Sequence, residues 1–143
     1  MYRLNDNDFK EAPLNEAWFK EAKHAREKAY VPYSEFKVGC CLVTDQGQYI
    51  HGANIENASY PASICAERSA LVSAYSQSIT KFEAVIIVTD NKEPSSPCGV
   101  CRQVMSELCD LSTYIYMANL DGDYIVMTVD ELLPLSFSKG DLK

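Results

Sequence analysis

The sequence predicts an α/β fold, a mixed sheet with helices on both faces. Three observations carry this. Segments of helical periodicity alternate with segments of strand character along the chain. Phe82–Thr89 is a nearly continuous apolar run rich in β-branched residues, the pattern of a central strand covered on both sides. The chain has 143 residues with 47% apolar and 23% charged side chains, which fits one domain with an ordinary core and needs no staples. Without repeats, low-complexity tracts or linkers, residues 1–143 are expected to form a single domain.

The elements follow in order. Leu14, Trp18, Ala22, Ala25 and Ala29 recur at three- and four-residue steps, which predicts a helix over about 14–29. Pro32 disfavours helix at the residue before it and closes that segment. Phe36, Val38, Cys40 and Leu42 then alternate with Lys37, Gly39 and Cys41, which predicts a strand with one face buried. Asp45-Gln46-Gly47 is a turn signal, and residues 48–52 return as a partner strand. Residues 54–63 read as irregular and polar, interrupted by Pro61. A helix is expected over about 65–75, with Ala66, Ala70, Leu71 and Ala74 on one face. After the strand Phe82–Thr89, residues 90–97 form a loop. A third helix runs over about 98–108, with Val100, Val104 and Leu108 four apart. Tyr114–Met117 and Tyr124–Thr128 are strands about the Asp121-Gly122 turn. Asp130 is placed to cap a short helix through Leu133, which Pro134 limits.

Charge and cysteine usage narrow the function. Lys and Arg number 13 against 20 Asp and Glu, a formal charge of −7. Nucleic-acid affinity is dominated by basic contacts to phosphate, so polynucleotides are poor partners. No apolar run approaches a membrane span. The N-terminal stretch holds Asp6, Asp8 and Glu11 and no apolar core of a signal peptide. With six unevenly spaced cysteines, this points to a reducing cytoplasm, where clustered thiols more often bind metal or catalyse than cross-link.

Two segments carry chemistry: Cys65-Ala66-Glu67 and Pro97-Cys98-Gly99-Val100-Cys101. Each lies where a loop enters a predicted helix, and helix N-termini favour the thiolate form. Cys98 and Cys101 are separated by roughly 4.5 Å along a helix axis. Two tetrahedral zinc sulfurs stand about 3.8 Å apart, which that spacing permits. Cys65 completes a three-thiolate set, and three protein ligands with one open position mark a catalytic zinc. Cys109 lies about 12 Å further along the helix, too far to join. Cys40 and Cys41 point to opposite faces of a strand, and buried free cysteine is usually inert. His24 and His51 read as surface or satisfied histidines. Glu67 can reach the open position as a proton carrier, and Arg68 can donate to the sulfurs and offset the net negative charge of three thiolates on Zn²⁺. C-x-E followed by P-C-x-x-C is the zinc deaminase signature in its three-cysteine form.

The chain resembles the small cytidine deaminases of the three-cysteine zinc class over nearly its whole length. The carrying segments are residues 31–36 (Val-Pro-Tyr-Ser-Glu-Phe), 54–58 (Asn-Ile-Glu-Asn-Ala), Tyr60-Pro61, 65–68 (Cys-Ala-Glu-Arg), 97–104 (Pro-Cys-Gly-Val-Cys-Arg-Gln-Val) and 131–137 (Glu-Leu-Leu-Pro-Leu-Ser-Phe). The resemblance implies a three-layer α/β/α sandwich around a five-stranded mixed sheet, assembled as a homotetramer with shared active sites. It implies one Zn²⁺ per chain on Cys65, Cys98 and Cys101. The implied reaction is hydrolytic deamination of cytidine and 2′-deoxycytidine to uridine and 2′-deoxyuridine with release of ammonia, a step of pyrimidine salvage. Water activated on zinc attacks C4, and Glu67 shuttles protons. Phe36 would stack on the pyrimidine, Asn54 and Glu56 would hold the ribose hydroxyls, and the Ala66 N–H and Pro97 carbonyl would address the base. Ala58, Tyr60 and Phe137 would reach into a neighbouring subunit's site. Glu56 at the ribose and the acidic balance favour a free nucleoside over a nucleotide or polymer.

Overall fold

The computed structural model describes residues 12–142. The acidic stretch with Asp6, Asp8 and Glu11 lies outside the described residues. Helix α1 (Glu16–Arg26) leads to strands β1 (Val38–Thr44) and β2 (Tyr49–Ala53). A 3-10 turn at Tyr60–Ala62 precedes α2 (Ala66–Ser76). Strand β3 (Phe82–Thr89), helix α3 (Gly99–Leu108), strands β4 (Tyr114–Ala118) and β5 (Tyr124–Thr128) and the short α4 (Val129–Leu132) follow.

The five strands form one sheet in the order β2-β1-β3-β4-β5. Only β3 and β4 are parallel, joined through the α3 crossover, and the other pairs are antiparallel. Alternation along the strands divides the core in two. Cys40, Leu42, Val85, Ile87, Ile115 and Met117 face α2 and α3 with Ala70, Leu71 and Met105. Cys41, Val43, Ala84, Ile86, Val88 and Tyr116 face α1 with Ala22 and Trp18. The result is the expected three-layer α/β/α sandwich with its five-stranded mixed sheet.

Four local expectations differ. β1 is buried on both faces from Gly39 onward, because α1 covers the side on which only small residues were visible. Gly39 makes this possible: a Cβ there would stand 2.3 Å from the Ala22 carbonyl oxygen and 2.4 Å from the Arg26 nitrogen. That strand begins at Val38, not Phe36, since the amide of Lys37 is drawn to Asp90. α1 stops at Arg26 rather than Ala29; it starts at the Asn15 cap, whose side chain accepts from Ala17 and Trp18. α4 is capped by Thr128, not Asp130. Thr128 Oγ1 accepts from the Glu131 amide and the Glu131 carboxylate accepts from the Thr128 amide, a reciprocal box.

Candidate metal centre and active site

The two cysteine segments become two helix entrances. Cys65 is the N-cap of α2 and Cys98 the N-cap of α3. An N-cap is ordinarily Ser, Thr, Asp or Asn, whose oxygen satisfies the first amides. At α2 the Cys65 side chain makes no capping bond, so its sulfur faces elsewhere. At α3 the Cys98 sulfur accepts from the Cys101 amide at 3.5 Å. Both helices lie on the same face of the sheet, so their positive ends converge on the sulfurs they carry. Gly52 lets α2 lie close to β2: a Cβ there would stand 2.4 Å from the Ala70 nitrogen and 2.5 Å from the Ala66 oxygen.

The sulfurs of Cys65, Cys98 and Cys101 all lie within 4.8 Å of one another. The Cys65–Cys98 separation is 3.9 Å, close to the tetrahedral edge of about 3.8 Å set by zinc–sulfur bonds. Within the trio the proton load is uneven. A hydrogen bond from the Cys101 thiol, aided by Arg68, brings Cys65 down to about 5. Cys101 moves the other way, through that donated bond, its burial and the nearby Glu67 carboxylate. Arg68 Nη2 donates to Cys65 Sγ at 3.6 Å and to the Ser63 carbonyl at 3.5 Å. Its Nε is buried without a partner, a donor left over beside the sulfurs. Three convergent soft donors under a guanidinium fit a divalent zinc ion.

Glu67 is buried at 4% exposure on the first turn of α2. Burial raises its carboxyl above the ordinary range, against a lowering contact with Cys101. It opens on a cavity of about 380 Å³ that also takes in Phe36, Asn54, Cys65, Ala66, Pro97 and Cys98. Thus seven of the residues singled out in the sequence border one cavity. As the first helical residue Ala66 has an amide without an intrahelical acceptor. Asn54 joins the cavity to β1: its Oδ1 accepts from the Val38 amide at 2.9 Å and its Nδ2 donates to the Phe36 carbonyl at 2.8 Å.

Other expected residues lie apart. Glu56 borders a neighbouring groove with Tyr33, Ser34, Tyr60 and Ser63. Its carboxylate accepts from the Tyr33 and Ser34 amides at 3.1 and 3.0 Å and from the Ser34 hydroxyl, which hold it below its ordinary value. Ala58 is exposed, and Tyr60 and Phe137 are 71% and 59% exposed. Thr89, Asn91, Ser95 and Ser96 also line the cavity, although in the sequence Thr89 reads only as the end of a strand and residues 90–97 only as a loop. Their signal was faint: small polar residues immediately before Pro97-Cys98. The remaining cysteines stay outside. Cys40 and Cys41 are fully buried on opposite faces of β1, and burial pushes Cys41 and Cys109 up to about 12. His51 pairs with Glu21 at 2.6 Å and His24 with Glu27 at 3.6 Å, and neither belongs to the potential metal-ligating group of the described residues.

Residues 13–118 match the family described as the cytidine and deoxycytidylate deaminase zinc-binding region. The chain belongs to the cytidine and deoxycytidylate deaminase family. The cytidine deaminase of Halalkalibacterium halodurans is 54% identical over 123 residues, covering 86% of this chain and 93% of that protein. That of Sporosarcina psychrophila is 50% identical over 122 residues, covering 85% and 90%. Among solved structures, the cytidine deaminase of Burkholderia pseudomallei matches with a TM-score of 0.84 at 46% identity, covering 87% of this chain and 99% of that one. A deaminase family assignment gives the trio its metal: it is the zinc-binding element of this family, and Cys65, Cys98 and Cys101 are the residues of this chain able to hold the ion.

Proposed function

We propose that this chain is a zinc-dependent cytidine deaminase, hydrolysing cytidine and 2′-deoxycytidine to the uridines and ammonia. The observation that carries the reading is Glu67, buried on the cavity wall two residues beyond Cys65 of the three-sulfur set. Zinc held by Cys65, Cys98 and Cys101 supplies Lewis acidity, lowering the pKa of water toward 7. Glu67 then has three successive tasks. It accepts a proton from the attacking water, gives it to N3 as the new C4–O bond forms, and then carries the C4 hydroxyl proton to the amine as the C4–N bond breaks and the C4 carbonyl forms. Burial, which raises the Glu67 carboxyl, eases the protonated form through which it hands protons on. Arg68 steadies the charge on the sulfurs. The net change is water consumed and ammonia released.

In this reading Phe36 stacks on the pyrimidine, the Ala66 amide donates to the base and the Pro97 carbonyl accepts from it. Asn54 keeps an N–H and a lone pair for the ribose after its two backbone bonds. Glu56 serves the ribose as an ionised acceptor. Residues 1–143 act as one domain. The chain works as a homotetramer in the cytoplasm, with Ala58, Tyr60 and Phe137 completing neighbouring sites. The exposure of Tyr60, Phe137 and Leu135 supports this, since large apolar side chains at 71%, 59% and 100% exposure gain most from an interface. No helix among the described residues is long and apolar enough to cross a membrane.

The test is a purified-protein assay of cytidine loss against deoxycytidine, CMP and single-stranded DNA, with and without chelator. Turnover of both nucleosides, abolished by chelation, is expected. Turnover of CMP or DNA in preference to nucleoside would overturn the substrate assignment.

A further inference from the structure

We propose that Arg102 is a positioning residue that sets the chain's preference for a 4-amino over a 4-oxo pyrimidine, an inference that rests on the deaminase reading above. Its guanidinium makes two well-formed bonds to main-chain carbonyls. Nε donates to the Pro97 oxygen at 2.9 Å and Nη1 to the Leu132 oxygen at 2.8 Å. Pro97 is the cavity residue immediately before Cys98, and its carbonyl is the acceptor assigned to the base.

Ser95 and Ser96 form a thin wall just before the buried Pro97. On one side lies the nucleoside cavity. On the other lies a larger cavity of about 500 Å³, bordered by Ser95, Ser96, Met117, Leu132 and Arg102 itself. Open space on both sides of Ser95 and Ser96 leaves the approach to Pro97 thinly packed, while Pro97 itself is buried against the nucleoside cavity. Proline also lacks the N–H that would anchor the wall from the other end of the residue. The planar fork of Arg102 supplies the constraint, because two bonds from one rigid group fix direction as well as distance. The second bond reaches the last residue of α4, so the wall is braced against a capped helix.

The consequence is chemical. A carbonyl is an acceptor only, so one held in place rewards an amino group and leaves an oxo group facing a lone pair. Cytidine carries the donor and uridine does not. The brace therefore favours substrate over product at the same site. A loosened carbonyl could turn away, and the two ligands would bind more alike.

The experiment uses the zinc-loaded full chain and its Arg102→Gln and Arg102→Lys variants. The KM for cytidine and the inhibition constant of uridine are measured together, with zinc content and circular dichroism alongside. For Arg102→Gln the cytidine KM should rise about tenfold while the uridine constant moves less than about threefold, on the scale of one hydrogen bond at 1.4 kcal/mol per decade. Zinc should stay at one per chain. Lysine can satisfy only one of the two carbonyls and should give a smaller change in the same ratio. If glutamine prevents folding, the lysine variant decides by that ratio. An unchanged ratio in the folded variant, whether both constants move equally or neither moves, would overturn the inference. A wild-type chain inert on cytidine would overturn the deaminase reading and the inference with it.

Discussion

The sulfurs of Cys65 and Cys98 stand 3.9 Å apart although 33 residues separate them in the chain. Each is the N-cap of its helix, so the pair is held by two helix entrances rather than by one loop. Removing either sulfur should leave both helices and abolish the site. Cys65→Ala and Cys98→Ala are expected to retain the far-ultraviolet helical signal and to fall from one zinc per chain to near zero by elemental analysis. Full zinc in either variant would show that another donor set holds the metal.

Glu67→Gln removes the proton carrier and keeps its shape. Zinc content should remain at one per chain while kcat falls by about 10²–10⁴, the usual worth of a positioned acid–base group. Near-normal turnover by the glutamine variant would mean that some other group moves the protons.

Gly52 lies where β2 passes under α2. Gly52→Ala would drive a methyl against backbone atoms at 2.4 and 2.5 Å, and backbone cannot swing aside as a side chain can. A loss of about 1–3 kcal/mol in urea denaturation is expected from such overpacking. Because α2 carries both Cys65 and Glu67, zinc affinity should fall in parallel. Gly47→Ala offers a contrast: nothing lies within 4 Å, but the backbone there has φ +79°, so any cost comes from the turn itself and zinc binding should be unaffected.

Asp90 ties α1 and the segment entering β1 to the end of β3. Its carboxylate pairs with Arg26 of α1 and accepts from the Lys37 amide at 3.0 Å. Burial would raise its pKa, but the Arg26 and Lys37 contacts outweigh burial and hold it below 3.8. A lowered carboxylate stabilises the fold fully above its unfolded pKa and loses that contribution as pH falls through the folded value. Asp90→Asn should cost about 2 kcal/mol at pH 7, the scale of charged hydrogen bonds. The gap to wild type should narrow as the pH falls below about 4. Parallel urea midpoints across that range, with no narrowing, would contradict the assignment.

Tyr60 and Phe137 should matter to assembly rather than to folding. Sedimentation of the wild type should give a tetramer. Tyr60→Ala should weaken assembly and raise the cytidine KM together, by about tenfold or more if the ring is an interface anchor. A fully active monomer would refute shared sites.

Much of the fold was readable because strand and helix periods differ. The Phe82–Thr89 run, the turns at Asp45–Gly47 and Asp121-Gly122, and the four-residue steps of α3 are local signals, and the structure keeps the elements they mark, although α3 buries Cys101 and Met105 and leaves Val100 exposed. What was misread depended on contacts between elements. β1 read as half-buried because Gly39 and Cys41 are small, and only the position of α1 over them shows why small was required. Thr128 rather than Asp130 caps α4 because Glu131 reaches back to it. In the site, Cys65, Glu67, Cys98 and Cys101 stood out by residue type and spacing. Asn91, Ser95 and Ser96 did not, since a short polar loop has the same composition whether or not it walls a cavity, and Thr89 read only as the end of β3.

The sequence by itself determined the chemistry available: three thiols at two predicted helix entrances, a carboxylate two residues beyond the first, and an acidic surface ill-suited to phosphate. Those are properties of side chains and of short-range periodicity. Only the tertiary structure decided which groups meet. It stacked α2 and α3 on one face of the sheet, brought sulfurs from distant segments within 4.8 Å, and set the Glu56–Tyr60 groove beside the cavity instead of within it. It also braced the Pro97 carbonyl with Arg102. Such choices follow from the packing of whole elements, where glycines at close approaches and the order of strands fix distances that no local pattern encodes.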